Sequence, residues 1–286
     1  MSHLLLLTTM SFLASDLSDH PLARDAWLVC ACVFLLAATW DWVSRSGYLQ
    51  GRLPHLGVWI LRGAWIALTV LLAFQGLRRH EFPIGSVAEI LLTLGWGLAG
   101  VALFLELTFE HRLPTWAIAG ATALAVFAAG WLGLDPRMLD AARGNPLILM
   151  HVGAAVLAYC ILIAQALNSL AYLLQHHALA ARKFGGIYAV LPALVPMDRI
   201  GNQLMGAAVW MLGLSLVIGA TDWAQREMAL VALPKLATSL ITWLGCLFVL
   251  VQRRRNQLSG ATFARASLWA FVPALIALYL SLATAR

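Results

Sequence analysis

Few side chains in this sequence can do chemistry, and His151 is placed most tellingly among them. It stands near the start of Leu147–Leu174, a stretch without Asp, Glu, Lys or Arg. At about 1.5 Å per residue, a helix that long outruns a hydrocarbon layer about 30 Å thick. An imidazole near the end of such a helix can ligate a metal, shuttle a proton or anchor to interfacial water. His80 follows Arg78 and Arg79 in a short connector, and Glu89, Glu106 and Arg62 fall inside apolar stretches. An ion at membrane depth is costly and must face protein, water or a counter-charge. Arg62 and Glu106 lie at compatible depths and are expected to pair, whereas Glu89 lies near the other rim. Gln165, Asn168 and Tyr172 recur at i, i+3 and i+7, a polar stripe that hydrogen bonding between helices explains. His111, His176 and His177 fall a membrane thickness from His151 and read as interfacial anchors.

Other chemistries find no support. No Ser/His/Asp set, phosphate-cradling glycine loop or zinc helix can be assembled, so an enzyme is disfavoured. Cys30 and Cys32 form C-x-C, without the gap or second pair of a zinc site; with Cys160 and Cys246 they read as buried packing residues. Most tryptophans lie toward span ends, where an aromatic belt places them. Trp96, Trp210 and Trp243 are more internal and read as bundle filling. Asp41, between Trp40 and Trp42, reads as an interfacial residue.

The elements that must position these residues follow from composition. Apolar residues make up 62% of the 286-residue chain and charged residues 11%. The apolar runs are continuous and not alternating, which predicts helices and argues against a barrel. Eight spans are expected, over about 26–43, 56–76, 86–109, 114–133, 147–175, 200–220, 232–252 and 264–282. The fold class is therefore an all-α polytopic membrane bundle. Residues 1–25 read as an interfacial or disordered lead, and 26–286 as a single eight-helix transmembrane domain. Pro234 and Pro273 fall just inside the last two spans, where they would kink a helix.

The net charge of +6 is not a nucleic-acid signature, because the basic residues flank apolar spans. Connectors after spans 1, 3, 5 and 7 carry most of them, including Arg45, Arg52, Arg112, Arg182, Lys183 and Arg253–Arg255, against Glu110 and Asp198. That side is expected to be cytoplasmic. Both termini, and the end of span 5 bearing His151, then face outward.

Several local patterns combine in a fixed order. His80-Glu-Phe-Pro83 leads through Glu89 to Trp96; His151-Val-Gly is followed by Tyr159 and Ala164. Leu191-Pro192 and Met197-Asp198-Arg199 precede a span that closes on Gly213, Gly219-Ala220 and Trp223. Pro234-Lys235, Ile241-Thr242-Trp243 and Arg253 follow. From about span 2 to span 8 this set resembles the cytochrome c assembly family, the haem-handling membrane proteins of the CcsA and CcmC kind.

The resemblance implies a multi-pass protein of a bacterial inner membrane that binds haem transiently at an outer-facing site near His151. Its implied work is cytochrome c assembly or haem homeostasis, with apocytochrome c or other membrane assembly subunits as partners. His151 is the implied iron ligand. His80 is a candidate second ligand, Arg78 and Arg79 suit propionates through bidentate guanidinium contacts, and Trp96, Trp223 and Glu89 are further candidates to touch the cofactor. The departures from the family pattern are specific. The stretch Gln225–Leu233 has no tryptophan, where haem-handling members carry a tryptophan-rich, Asp-containing segment. Ala73-Phe74-Gln75 and Val251-Gln252-Arg253 stand where the family places histidines, and no histidine follows the last span. The chain looks like the short divergent branch that includes HemX-like and YpjD-like proteins. Two rival readings follow. One is a structural or assembly subunit that kept the fold and lost the ligands. The other is a small-molecule transporter using Arg62, Glu89 and Glu106.

Overall fold

The computed structural model describes residues 21–46, 56–79, 84, 86–109, 113–132, 146–182, 190–224 and 233–283. They form eight helices: α1 (Pro21–Arg45), α2 (Leu56–Arg79), α3 (Val87–Phe109), α4 (Thr115–Leu132), α5 (Pro146–Ala180), α6 (Leu194–Ala224), α7 (Leu233–Arg254) and α8 (Gly260–Ala283). All eight are long and apolar enough to cross a membrane. In hydrocarbon every backbone amide must be satisfied within its own segment, so continuous apolar runs fold this way. The chain is an all-helical, multi-pass membrane protein.

Most helices exceed the expected spans at one or both ends. Hydropathy marks the part in hydrocarbon, whereas a helix continues into the interface for as long as its backbone bonds persist. Thus α1 begins at Pro21, inside the segment read as a lead, and residues 1–20 lie outside the described set. Pro21 and Pro146 open α1 and α5, where a missing N–H leaves no bond unmade. Ser86 caps α3, its hydroxyl accepting from the Glu89 amide at 3.2 Å. Pro273 lies within α8.

The helices assemble as two groups of four. In the first, α1 packs between α4 and α2, and α3 closes the group against α4. Phe34, Leu68, Leu92 and Val126 fill its core. In the second, α5 packs on α6 and α8, and α7 lies between those two. Ile161, Leu162, Leu204, Met205 and Cys246 fill this core. The seam between the groups is α3 against α5. There a Cβ on Gly97 would stand 2.6 Å from Cys160 Sγ, so the absent side chain sets how closely the helices approach.

Two expectations about packing need correction. Cys30, Cys160 and Cys246 are buried, but Cys32 is exposed, because two residues along a helix turn through about 200° and leave the core face. Trp210 does not fill the bundle: it is 77% exposed, on the face of α6 turned from its neighbours. Trp243 does fill it, donating from Nε1 to the Val209 carbonyl at 3.0 Å.

Candidate functional site

His151 lies in the second turn of α5, half-buried against the C-terminal half of α6. Its Nδ1 stands 2.7 Å from the Ser215 carbonyl oxygen. A carbonyl only accepts, so Nδ1 carries a proton, and the tautomer this bond selects has its lone pair on Nε2. The Ser215 hydroxyl donates to the His151 carbonyl at 3.2 Å and lies 3.2 Å from Nδ1. One turn further along α6, a Cβ on Gly219 would meet the imidazole Cε1 and Nδ1 at 2.8 Å. The ring is therefore oriented by a backbone carbonyl and fitted against a helix face kept bare for it. No described residue bonds Nε2. A metal-binding imidazole is held in one tautomer in the same way, by the partner of its other ring nitrogen.

Of these partners, Gly219 belongs to the recognised sequence pattern, but its reason, room for the ring, is visible only in three dimensions. Ser215 escaped the sequence reading. Its one signal is a lone hydroxyl one helical turn before Gly219 in an otherwise apolar run.

The remaining candidates divide. Glu89, in the first turn of α3, is 1% exposed and accepts from Gln75 Nε2 at 3.0 Å. Trp96 lies in the first helical group with its ring stacked on Trp65, centroids 5.9 Å apart. Its Nε1 donates to Thr69 Oγ1 at 2.8 Å, Thr69 Oγ1 donates to the Trp65 carbonyl at 2.7 Å, and Trp65 Nε1 donates to the Trp96 carbonyl at 3.0 Å. That closed circuit occupies the polar atoms of both indoles. Arg78 and Arg79 end α2 and Trp223 lies near the end of α6, but their side chains, like all of His80, lie outside the described residues.

The expected ion pair forms: Arg62 Nη2 lies 3.6 Å from Glu106 Oε2, with its guanidinium 4.8 Å from the Trp59 ring centre. The stripe on α5 bridges helices as expected, Asn168 to the Met197 carbonyl and Gln165 to Ser267. His176 and His177 are exposed near the far end of α5, roughly 37 Å along the helix from His151. His111 lies outside the described residues. Among those residues no cluster of three or more His, Cys, Asp or Glu could hold a metal ion. A group needing one or two axial donors is compatible with His151.

Asp41, about one turn before the end of α1, is turned into the protein. It is completely buried, receives Arg45 Nε at 3.0 Å, and accepts the Trp116 backbone N–H at 3.2 Å. Trp116 is in the first turn of α4, whose amide protons have no partner within their own helix. Asp41 on α1 therefore caps α4 from outside.

Comparison with known proteins places the chain. Protein HemX of Brevibacillus brevis is 26% identical over 203 residues, covering 69% of this chain and 74% of that protein. A cytochrome c biogenesis protein CcsA of Pyropia yezoensis is 33% identical over 150 residues, covering 49% of this chain and 45% of that protein. Protein HemX of Bacillus subtilis is 25% identical over 171 residues. The match thus spans under half the length of the Pyropia protein and about three-quarters of the Brevibacillus one. Residues 64–285 match the cytochrome c assembly protein family, from the middle of α2 through α8 and including both Ser215 and His151: the chain belongs to that family.

Proposed function

We propose that this protein handles haem at the membrane, in cytochrome c assembly or haem homeostasis, and holds haem transiently with His151 as a protein ligand. One observation carries this reading: Nδ1 of His151 is committed to the Ser215 carbonyl, which leaves Nε2 as the donor nitrogen, a good axial ligand. Bound haem would supply an iron centre accepting that nitrogen.

The chain's own residues hold the imidazole in place. The Ser215 carbonyl fixes its tautomer, the Ser215 hydroxyl ties the α5 backbone to α6, and Gly219 leaves the ring its room. Arg78 and Arg79 end α2 at the end of the bundle that carries His151, and His80 follows them in the sequence. They are proposed as second ligand and propionate partners; Glu89, Trp96 and Trp223 are proposed to line or support the site. The HemX and CcsA relatives support the assignment, and the bacterial HemX proteins support a bacterial plasma membrane. The distribution of basic residues among the connectors supports an outward-facing His151 end and termini.

Reconstitution of the purified protein with haem tests the reading. The wild type is expected to shift the Soret band, and His151→Ala to abolish that shift. A shift that is absent in the wild type, or unchanged in His151→Ala, refutes it.

A second reading is a structural or assembly subunit without haem. Its support is that positions where the family resemblance expects histidines serve local structure here. Gln75 bonds to Glu89, and Arg253 pairs with Asp198 and donates to the Leu258 carbonyl at 3.1 Å. Stoichiometric co-purification with other membrane subunits, free of haem, would favour it.

A further inference from the structure

The end of the bundle opposite His151 keeps a surplus of positive charge. In the first helical group the described arginines toward that end have carboxylates of their own, Arg45 with Asp41 and Arg62 with Glu106. In the second group Arg253 takes Asp198, while Arg182, Arg199, Arg254, Arg255 and Arg265 are exposed. No carboxylate among the described residues pairs with these five.

Arg254 and Arg255 leave from a fixed turn. The Gln257 amide donates to the Gln252 carbonyl at 3.0 Å and the Asn256 amide to the Arg253 carbonyl at 3.1 Å, with Asn256 left-handed at φ 58°. That pair of bonds closes the C-terminus of α7. Arg253 ties the same turn down, donating from Nη1 to the Leu258 carbonyl at 3.1 Å with its guanidinium over the Phe263 ring. Arg253 therefore serves the fold.

Arg265 is placed differently. On α8, Arg265, Trp269, Val272, Ile276 and Tyr279 recur at helical spacing and are all exposed, so they form one stripe turned from the protein toward lipid. Arg265 Nε donates to the Ala261 carbonyl at 3.2 Å, one turn nearer the start of α8. The guanidinium is thereby drawn back toward the membrane surface, and no described residue bonds its Nη1 or Nη2. Trp269, 76% exposed, lies one turn deeper, where an indole suits the boundary between headgroup and hydrocarbon. Val272 and Ile276 continue the stripe with aliphatic surface.

That order of groups matches a lipid: guanidinium donors for a phosphate, then an aromatic ring, then aliphatic side chains. We propose that α8 holds an anionic phospholipid, with its headgroup phosphate on Arg265 and its chain along Trp269, Val272 and Ile276. Arg254 and Arg255 supply further positive charge beside the headgroup. An acidic protein segment in water would meet Arg254 and Arg255 but would leave the apolar part of the stripe unused. The site does not depend on haem binding.

Native mass spectrometry of the delipidated protein tests this, with dioleoyl phosphatidylglycerol or dioleoyl phosphatidylcholine added back. The two lipids share both chains and differ in headgroup charge. The wild type is expected to hold phosphatidylglycerol about tenfold more tightly, and Arg265→Gln to lose about fivefold of that preference. Arg265→Lys, which keeps the charge without the planar fork, is expected to lose part of it. Arg182→Gln controls for diffuse charge. A Cβ on Gly260, at the start of α8, would meet the Tyr172 hydroxyl at 2.8 Å, so Arg182 lies ten residues, roughly 15 Å, further out along the direction of α5. Its loss is expected to change the preference less than about twofold. Equal retention of both lipids by the wild type, or an unchanged preference in Arg265→Gln, overturns the proposal. So does an equal loss in Arg182→Gln, which would leave only the general attraction of basic residues for an anionic membrane. Binding of poly-glutamate through Arg265 without any lipid preference would assign the surface to an acidic protein segment instead.

Discussion

The two helical groups use their polar side chains differently. In α1–α4 the internal polar groups are mostly consumed by structure. Asp41 binds Arg45 and the start of α4, and Trp65, Thr69 and Trp96 form a closed circuit. Among the described residues, this group leaves Gln75 Oε1 and Trp116 Nε1 buried without partners. In α5–α8 the balance shifts. Gln165, Asn168, Gln175, Asp198 and Gln203 each keep a buried oxygen unpaired, and His151 keeps a donor nitrogen. The first group therefore reads as a scaffold, and the second as the part whose bonding capacity is kept for something else. The family match agrees in part: beginning at residue 64, it leaves α1 outside and takes in all of α5–α8.

Substitutions in the two groups should separate stability from ligand binding. The largest effect is expected for Asp41→Ala, which strands the Arg45 guanidinium and the Trp116 amide. Because Arg45 is partly exposed, the loss should be about 2–3 kcal/mol, read by denaturing-detergent titration, with haem binding unchanged. A haem defect without a stability loss would reverse the roles of the groups. At the seam, Gly97→Ala drives a methyl into Cys160 and should cost about 2 kcal/mol by overpacking; a neutral result would mean that α3 and α5 part easily. Gly219→Ala displaces the imidazole and should weaken haem binding about tenfold with little change in unfolding midpoint. Unaltered affinity would show that ring placement does not govern binding. The smallest effect is expected for Trp96→Phe, which keeps the stacked ring and loses the bond to Thr69, at about 1 kcal/mol. If haem affinity falls with it, Trp96 belongs to the site and the first group is more than scaffold.

The sequence revealed depth better than direction. Hydropathy located all eight helices, and depth alone paired Arg62 with Glu106. The i, i+3, i+7 spacing put Gln165, Asn168 and Tyr172 on one side of α5. What failed was azimuth. Cys32 and Trp210 were misjudged, and the burial of Asp41 was missed, because a hydropathy profile does not tell which face of a helix meets a neighbour. Asp41 is buried because the start of α4 happens to lie beside it, 75 residues along the chain. Ser215 orients the ring through its backbone carbonyl, which every residue possesses, so its lone hydroxyl was the one signal that residue type offered. Glu89 and Gln75, on consecutive helices, meet because α2 and α3 run antiparallel.

If α5 moves as a rigid rod, the close approach of Gly97 and Cys160 is the point about which it would turn. His151 sits nine residues to one side of Cys160 and Gln175 fifteen to the other, so the arms measure about 14 Å and 22 Å. A tilt of about 5° around that fulcrum would carry the imidazole roughly 1 Å one way and the foot of the polar stripe roughly 2 Å the other. Spin labels at the two tips, read with and without haem, would show displacements of opposite sign if the rod rocks. They would show none if it is clamped.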